Sequence, residues 1–240
     1  MRILLIGYGK MGKTIEQIAL QRNHTIPYII DVKNQDDLKK IDGSMVDAAI
    51  EFTQPESAYH NVKHCIENNI PIVSGTTGWL EKKVELENLC RSNGGTFFYA
   101  SNYSIGVNLF FHFNKILARI MNDYPQYEAS MEEIHHTEKK DAPSGTAITL
   151  AEGLLSNVNR KKQWVNEGSK NTDDLAIISK RIENVPGTHS IFYQSDIDTI
   201  EIKHTAHNRH GFAEGSVIAA EWIQGKTGVL GMDDMMKLNY

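Results

Sequence analysis

An α/β architecture is predicted for this 240-residue chain: a doubly wound parallel sheet at the N-terminus, followed by an inserted α+β domain with a mixed, largely antiparallel sheet. Three observations lead there. Residues 2–6 (Arg-Ile-Leu-Leu-Ile) form a compact apolar run of the kind buried on both faces of a parallel sheet. The pattern Gly7-x-Gly9-x-x-Gly12 follows at once and opens a helical segment, the context of a Rossmann-type nucleotide fold. After about residue 103 the alternation of strand and helix gives way to several consecutive strand-like runs.

The individual elements follow in order. The first helix carries Ile15, Ile18, Ala19 and Leu20 on one face. A second strand runs through Ile26 to Ile30 and ends at Asp31, and 48–52, 70–74 and 96–100 read as further strands. Residues 56–69 and 80–93 have helical length and spacing. Val107 to Met121 reads as a long helix, 127–134 as a strand with two distinct faces, and Ile148, Leu150, Ala151, Leu154 and Leu155 mark another helix. The polar stretch 160–175 lacks periodicity and reads as a loop. Runs at 176–182, 188–194 and 197–204 predict a mostly antiparallel sheet, and the last thirty or so residues return to helix. The predicted nucleotide-binding domain therefore comprises 1–103 and 211–240, with 104–210 inserted.

Composition narrows the function classes. With 40% hydrophobic and 23% charged residues the chain is an ordinary globular protein, and its net charge of -5 argues against a general nucleic-acid or membrane-surface role. Cys65 and Cys90 form no CxxC pair, so they read as reduced structural thiols of a cytosolic protein. No apolar run approaches the length of a membrane span, and the one at the N-terminus is too short for a secretory core. A cytoplasmic protein is expected.

In the glycine loop, the small residues allow a tight turn and a close approach of the backbone to a pyrophosphate, which the helix N-terminus then stabilises. Asp31 stands where a carboxylate accepts hydrogen bonds from the adenosine ribose, which favours NADH because it repels a 2′-phosphate. Lys33, two positions on, could pair with that phosphate, so NADPH is also admitted. Two further loops, 74–78 and 100–104, follow strand ends and belong on the same side of such a sheet.

The densest chemistry lies in Glu133-Ile-His-His-Thr-Glu-Lys-Lys-Asp-Ala-Pro-Ser-Gly-Thr-Ala147. His135, His136 and Lys139 crowd into five positions, an arrangement that favours an anionic partner. Ser144 is placed to cap the helix that follows, presenting the backbone N–H groups of Gly145 and Thr146 to a carboxylate. A small carboxylate-bearing substrate beside a proton donor is the reading. A metal site on Glu133, His135 and His136 is the lesser alternative, because it lacks a His-Glu-x-x-His spacing and partner cysteines; no metal is expected. His204, His207, Arg209 and His210 read as strand-end polar contacts, with Arg209 supporting the return of the final segment. Trp79, Trp164 and Trp222 read as packing residues.

This motif resembles the signature of the 4-hydroxy-tetrahydrodipicolinate reductase (dihydrodipicolinate reductase) family of bacterial lysine and diaminopimelate synthesis. The resemblance extends through the glycine loop, Gly75-Thr-Thr-Gly78, Ser101-Asn-Tyr-Ser-Ile-Gly106, Gly187-Thr-His189, Arg209-x-x-Phe-Ala-x-Gly215 and Met232-x-Asp-x-x-x-x-Leu238. It implies NAD(P)H-dependent reduction of a cyclic imine dicarboxylate, with His135 as proton donor/acceptor, Lys139 as proton donor and His136, Gly145 and Thr146 binding substrate. Cofactor contacts would fall on Gly7, Tyr8, Gly9, Lys10, Met11, Gly12, Asp31, Gly75, Thr76, Thr77, Ala100, Ser101, Asn102 and Tyr103. A homotetramer assembled through the inserted, substrate-binding domain is also implied, with the C-terminal helix folding back onto the nucleotide domain. The glycine loop is one residue shorter than the commonest family form, and Val32 occupies the usual basic position, which bears on cofactor preference. A dinucleotide-sensing binding protein is the alternative; it needs the glycine loop but no proton donors.

Overall fold

The structure, a computed structural model, describes residues 1–208 and 210–238. Two compact units emerge, one within Met1–Ile105 and His210–Tyr240, the other within Gly106–Arg209.

The first unit is built on six parallel strands: β1 (Arg2–Ile6), β2 (Thr25–Ile30), β3 (Ala48–Glu51), β4 (Ile72–Ser74), β5 (Thr96–Tyr99) and β11 (Gly228–Leu230). Their spatial order is β11-β5-β4-β3-β1-β2, with every pairing parallel. The apolar runs are explained by burial on both faces. Ile3 and Leu5 of β1 point into one core with Ile15 and Ala19 of α1 (Lys10–Gln21) and Val217 of α6 (His210–Trp222). Leu4 and Ile6 enter the other core, with Val62 and Cys65 of α2 (Pro55–Glu67) and Leu86 and Cys90 of α3 (Lys83–Asn93). Both thiols are buried and unbridged. Glu221 of α6 accepts hydrogen bonds from Arg22 at 2.7 and 2.8 Å and lies 2.7 Å from His24 Nε2, which fastens α6 to the end of α1.

Three details differ from the sequence expectation here. Leu20 is 53% exposed and lies off the buried face of α1, because the stripe set by Ile15 and Ala19 is one residue narrower. The helical stretch from residue 80 begins as a short 3₁₀ turn, Leu80–Lys82, before α3. The last thirty residues also contribute the edge strand β11, and then the short helix α7 (Met232–Met236).

The second unit carries α4 (Ile105–Met121), β6 (Glu128–His135), α5 (Gly145–Leu155), β7 (Gln163–Val165), β8 (Asp174–Arg181), β9 (Gly187–Gln194) and β10 (Thr199–Ala206). The sheet order is β10-β9-β6-β8-β7. Pairings of β9 with β10 and β6 are antiparallel, whereas β8 runs parallel to both β6 and β7. The expected loop 160–175 thus holds β7, a three-residue strand that pairs with β8. On β6, Ala129, Met131, Glu133 and His135 share the buried face. Ala129 and Met131 pack with Leu150 and Leu154 of α5 and with Tyr193 of β9. The same alternation that buries Met131 therefore buries a carboxylate and an imidazole.

Trp79, Trp222 and Trp164 each pack against one of the three hydrophobic cores. Among the described residues, no helix is long and apolar enough to cross a membrane.

Candidate functional site

At the carboxyl ends of the first unit's strands lies a cleft of about 500 Å³, lined by Gly7, Tyr8, Gly9, Lys10, Met11, Asp31, Thr53, Gly75, Thr76, Thr77 and six further residues. Its three glycines serve separate purposes. Gly7 has φ of +96°, and a Cβ there would fall 2.0 Å from the Phe52 carbonyl oxygen. A Cβ on Gly12 would fall 2.1 Å from the Gly7 oxygen, so this residue lets α1 pack onto the turn. A Cβ on Gly9 would meet no protein atom within 4 Å. The middle glycine therefore leaves the backbone at the start of α1 open for a phosphate, as a dinucleotide requires. The residues present fit such a group.

Asp31 faces this cleft at the end of β2, its own N–H held by Asn34 Oδ1 at 2.7 Å. Lys33 is exposed and does not line the cleft. Gly12, Ala100, Ser101, Asn102 and Tyr103 are likewise absent from its walls. Tyr103 is 2% exposed, its ring packed on Phe98 and its hydroxyl donating to the Ser74 carbonyl at 2.7 Å. Its side chain is part of the core that supports β4.

Sequence reasoning missed Glu51, the last residue of β3. It is fully buried and accepts four hydrogen bonds: from Ser74 Oγ at 2.6 Å, Thr76 Oγ1 at 2.7 Å, Thr53 Oγ1 at 2.5 Å and Thr53 N at 3.0 Å. A buried charge is tolerated only when its lone pairs are filled. Here Thr53 and Thr76 belong to the two loops that edge the cleft and Ser74 ends β4, so one carboxylate fixes both loops. The available signal was an acidic residue closing an otherwise apolar strand.

In the second unit, the central motif starts on β6 and ends on α5. Glu133 is again fully buried. Its Oε1 accepts from Arg181 at 3.1 Å, and its Oε2 accepts from the backbone N–H of Ser144 at 3.2 Å. His135 Nδ1 stands 3.1 Å from Oε2, at ion-pair distance though not aligned as a hydrogen bond, and His189 Nε2 stands 3.8 Å away. Burial alone would raise the Glu133 pKa, but contacts from His135, Ser144 and Ser179 outweigh it and hold the carboxyl well below the usual range. For His189, burial first and the neighbouring His135 second push the pKa down to about 3, so this imidazole is neutral at pH 7.

Ser144 caps α5: its Oγ accepts from Ala147 N at 3.2 Å and lies 3.1 Å from His189 Nε2. Gly145, next in the first turn, is exposed, and nothing crowds the space above it. Lys139 closes a single turn on the His136 carbonyl at 3.1 Å, and its ammonium pairs with both oxygens of Asp141 at 2.9 Å. His136 faces the other way from His135, into a cavity of about 350 Å³ shared with Thr137, Glu138, Asn184 and Pro186. Hence His135, Ser144 and the start of α5 meet at Glu133, whereas Lys139 turns to Asp141 and His136 lines a separate wall.

Among the described residues, the grouping with ligand atoms close enough for a metal is Glu133, His135 and His189, within 4.8 Å of one another; His136 is not part of it. Arg181 and the Ser144 N–H occupy the Glu133 acceptor positions, so hydrogen bonding already accounts for the cluster. His189 was legible only as part of Gly187-Thr-His189, and Arg181 carried no signal in the sequence. Arg209 lies outside the described residues.

Comparison with known proteins places these two units. Residues 1–103 match the family described as "Dihydrodipicolinate reductase, N-terminus", and residues 106–236 match "Dihydrodipicolinate reductase, C-terminus". The chain belongs to the dihydrodipicolinate reductase family. It is accordingly an oxidoreductase that uses a nicotinamide dinucleotide. A relative from Christiangramia forsetii, named 4-hydroxy-tetrahydrodipicolinate reductase, is 45% identical over 239 residues, covering 98% of each chain. One of the same name from Neisseria meningitidis serogroup B is 32% identical over 232 residues, covering 93% of this chain and 84% of its own. Among solved structures, a dipicolinate-bound dihydrodipicolinate reductase from Paenisporosarcina sp. TG-14 superposes with a TM-score of 0.77 at 20% identity, covering 98% of this chain and 99% of its own. An amine dehydrogenase from Mycobacterium smegmatis reaches a TM-score of 0.64 at 10% identity, covering 98% and 95%. These two likenesses are of fold.

Proposed function

We propose that this reductase converts 4-hydroxy-tetrahydrodipicolinate, one hydride and one proton to tetrahydrodipicolinate and water, the 4-hydroxyl leaving as that water, in diaminopimelate and lysine biosynthesis, with NADH favoured over NADPH. The single observation that carries the substrate class is the capped, open N-terminus of α5 beside the buried Glu133–His135 pair, within the motif shared with the family. The first-turn N–H groups of Gly145, which is exposed, and Thr146, which is half-buried, would offer a carboxylate two donors at the positive end of an 11-residue helix. When bound, the reduced nicotinamide supplies the hydride.

The chain's own groups would manage charge and proton. In the proposed assignment, His135 gives the proton that balances the added hydride, Lys139 serves as a second donor, and His136 contacts the substrate. The Lys139 ammonium, now neutralised by Asp141, would exchange that partner for a substrate carboxylate, which has the same two-oxygen geometry. NADH preference rests on Asp31 lining the cleft while Lys33 does not. For the homotetramer and for residence in the cytoplasm, the support is the family resemblance and, for the latter, two unbridged buried thiols.

The test is to supply freshly generated cyclic substrate and follow loss of the reduced nicotinamide absorbance. Oxidation that depends on substrate, and is faster with NADH than NADPH at limiting nucleotide, is expected. No oxidation with either nucleotide would leave a dinucleotide-sensing protein as the better reading.

A further inference from the structure

We propose that Glu133 is a positioning residue: its buried carboxylate sets His135 with Nε2 as the nitrogen that exchanges a proton, and ties that imidazole to the loop bearing Lys139 and to the first turn of α5. The inference rests on the assignment of His135 as proton donor.

A carboxylate with no solvent exposure needs a cation, and Arg181 meets that need at Oε1. The second oxygen then faces groups of the site instead of solvent: Ser144 N–H at 3.2 Å, His135 Nδ1 at 3.1 Å and His189 Nε2 at 3.8 Å. An imidazole whose Nδ1 faces an anion carries its fixed proton there, which leaves Nε2 to give and take a proton. The strand opposite respects this. A Cβ on Gly187 would come within 3.1 Å of His135 Nε2, closer than an ordinary contact, so β9 presents a residue without a side chain at that nitrogen. His189, with its ring centroid 5.0 Å from that of His135, is held neutral and adds no competing charge.

The same assembly reaches the second donor. Arg181 also donates to the carbonyls of Lys139 at 3.3 Å and Asp141 at 2.6 Å. One carboxylate–guanidinium pair thereby fixes the imidazole, the Lys139 loop and the Ser144 cap in a common frame. The titratable and charged groups around the Glu133–His135–His189 cluster are Arg181 on β8, His204 on β10 beside His189, and Lys139 with Asp141 on the loop.

Kinetics of the full-length Glu133→Gln variant test this. Turnover should fall roughly 10²-fold, the scale of a mispositioned general acid, while KM for the substrate and Kd for the nucleotide move less than roughly threefold. Glu133→Asp, which keeps the anion, should restore part of the turnover. A merely structural carboxylate would lower thermal stability while the folded variant keeps its kcat. Turnover within about threefold of wild type overturns the proposal. Should Glu133→Gln fail to fold, Gly187→Ala decides, since its methyl group would press on the Nε2 edge of the His135 ring. A lower kcat with a larger solvent deuterium isotope effect is expected, and wild-type values for both would overturn the proposal. A fully active His135→Gln would refute the donor assignment itself; an impaired His135→Gln beside a normal Glu133→Gln refutes only the role given to Glu133.

Discussion

Replacing Glu51 by glutamine removes a charge from the rim of the nucleotide cleft without changing side-chain volume. The carboxylate accepts four hydrogen bonds, three at Oε1 from Thr53 and Thr76 and one at Oε2 from Ser74. A glutamine that keeps its oxygen in the first position retains the three as bonds to a neutral acceptor, and its amide nitrogen obliges the Ser74 hydroxyl to turn and accept. Charge-assisted bonds exceed neutral ones by about 1 kcal/mol each, so the loss should be about 2–3 kcal/mol. For a chain of this length, each kcal/mol corresponds to about 2–4 °C, so Tm should fall by about 5–10 °C. Because Thr53 and Thr76 line the cleft, affinity for the dinucleotide should fall about tenfold, or 1.4 kcal/mol. Scanning calorimetry reads the first effect, the relevant transition being the one that added NADH raises. Nucleotide titration reads the second. A variant that melts within about 1 °C of wild type and binds NADH equally well would refute the organising role given to Glu51.

Other expectations follow from the same geometry. Lys139→Ala should lower turnover by about 10²-fold or more, and near-normal turnover would remove it from proton transfer. His189 is depressed from 6.5 to about 3, so its contribution to stability is full above pH 6.5 and declines as pH falls from there. Acidifying from pH 7 to 5 should cost the second unit about 2 kcal/mol, read as lost hydrogen-exchange protection in β9. His189→Gln should flatten that slope, and an equally steep slope in the variant would exclude His189 as its source. Glu133, also depressed, acts in a lower window: its contribution is present above its ordinary value of 4.5 and fades only below it. Ser144→Ala, which removes the α5 cap, should cost about 1 kcal/mol and raise the substrate KM, whereas an unchanged KM would separate the cap from substrate binding.

What was legible in the sequence was local. The buried parallel strands announced themselves as short apolar runs, and the glycine loop stood directly between strand and helix. The His-His-x-x-Lys motif and its helix cap were contiguous, so their chemistry could be read from spacing. Strands β7 and β11, three residues each, lack enough positions to show a period, and β7 lies in a polar stretch. The parallel pairing of β8 with β6 is a non-local choice of register that no short window contains. For the same reason the convergence of Glu133, Arg181 and His189 was hidden: three strands supply one residue each, 48 positions apart in the case of Glu133 and Arg181. Glu51 was visible only as an acidic strand end, and its partners come from the loop after β3 (Thr53), the end of β4 (Ser74) and the loop after it (Thr76).

The most direct measurement of the proposed chemistry is isotope transfer. Reduced nucleotide deuterated at the nicotinamide C4 is supplied with the cyclic imine dicarboxylate, and the product is analysed by mass spectrometry. Direct hydride transfer predicts one deuterium in tetrahydrodipicolinate, on carbon, retained when the reaction is run in ordinary water. A product formed without deuterium from both C4 epimers of the labelled nucleotide, or nucleotide left unconsumed in the presence of substrate, would contradict it.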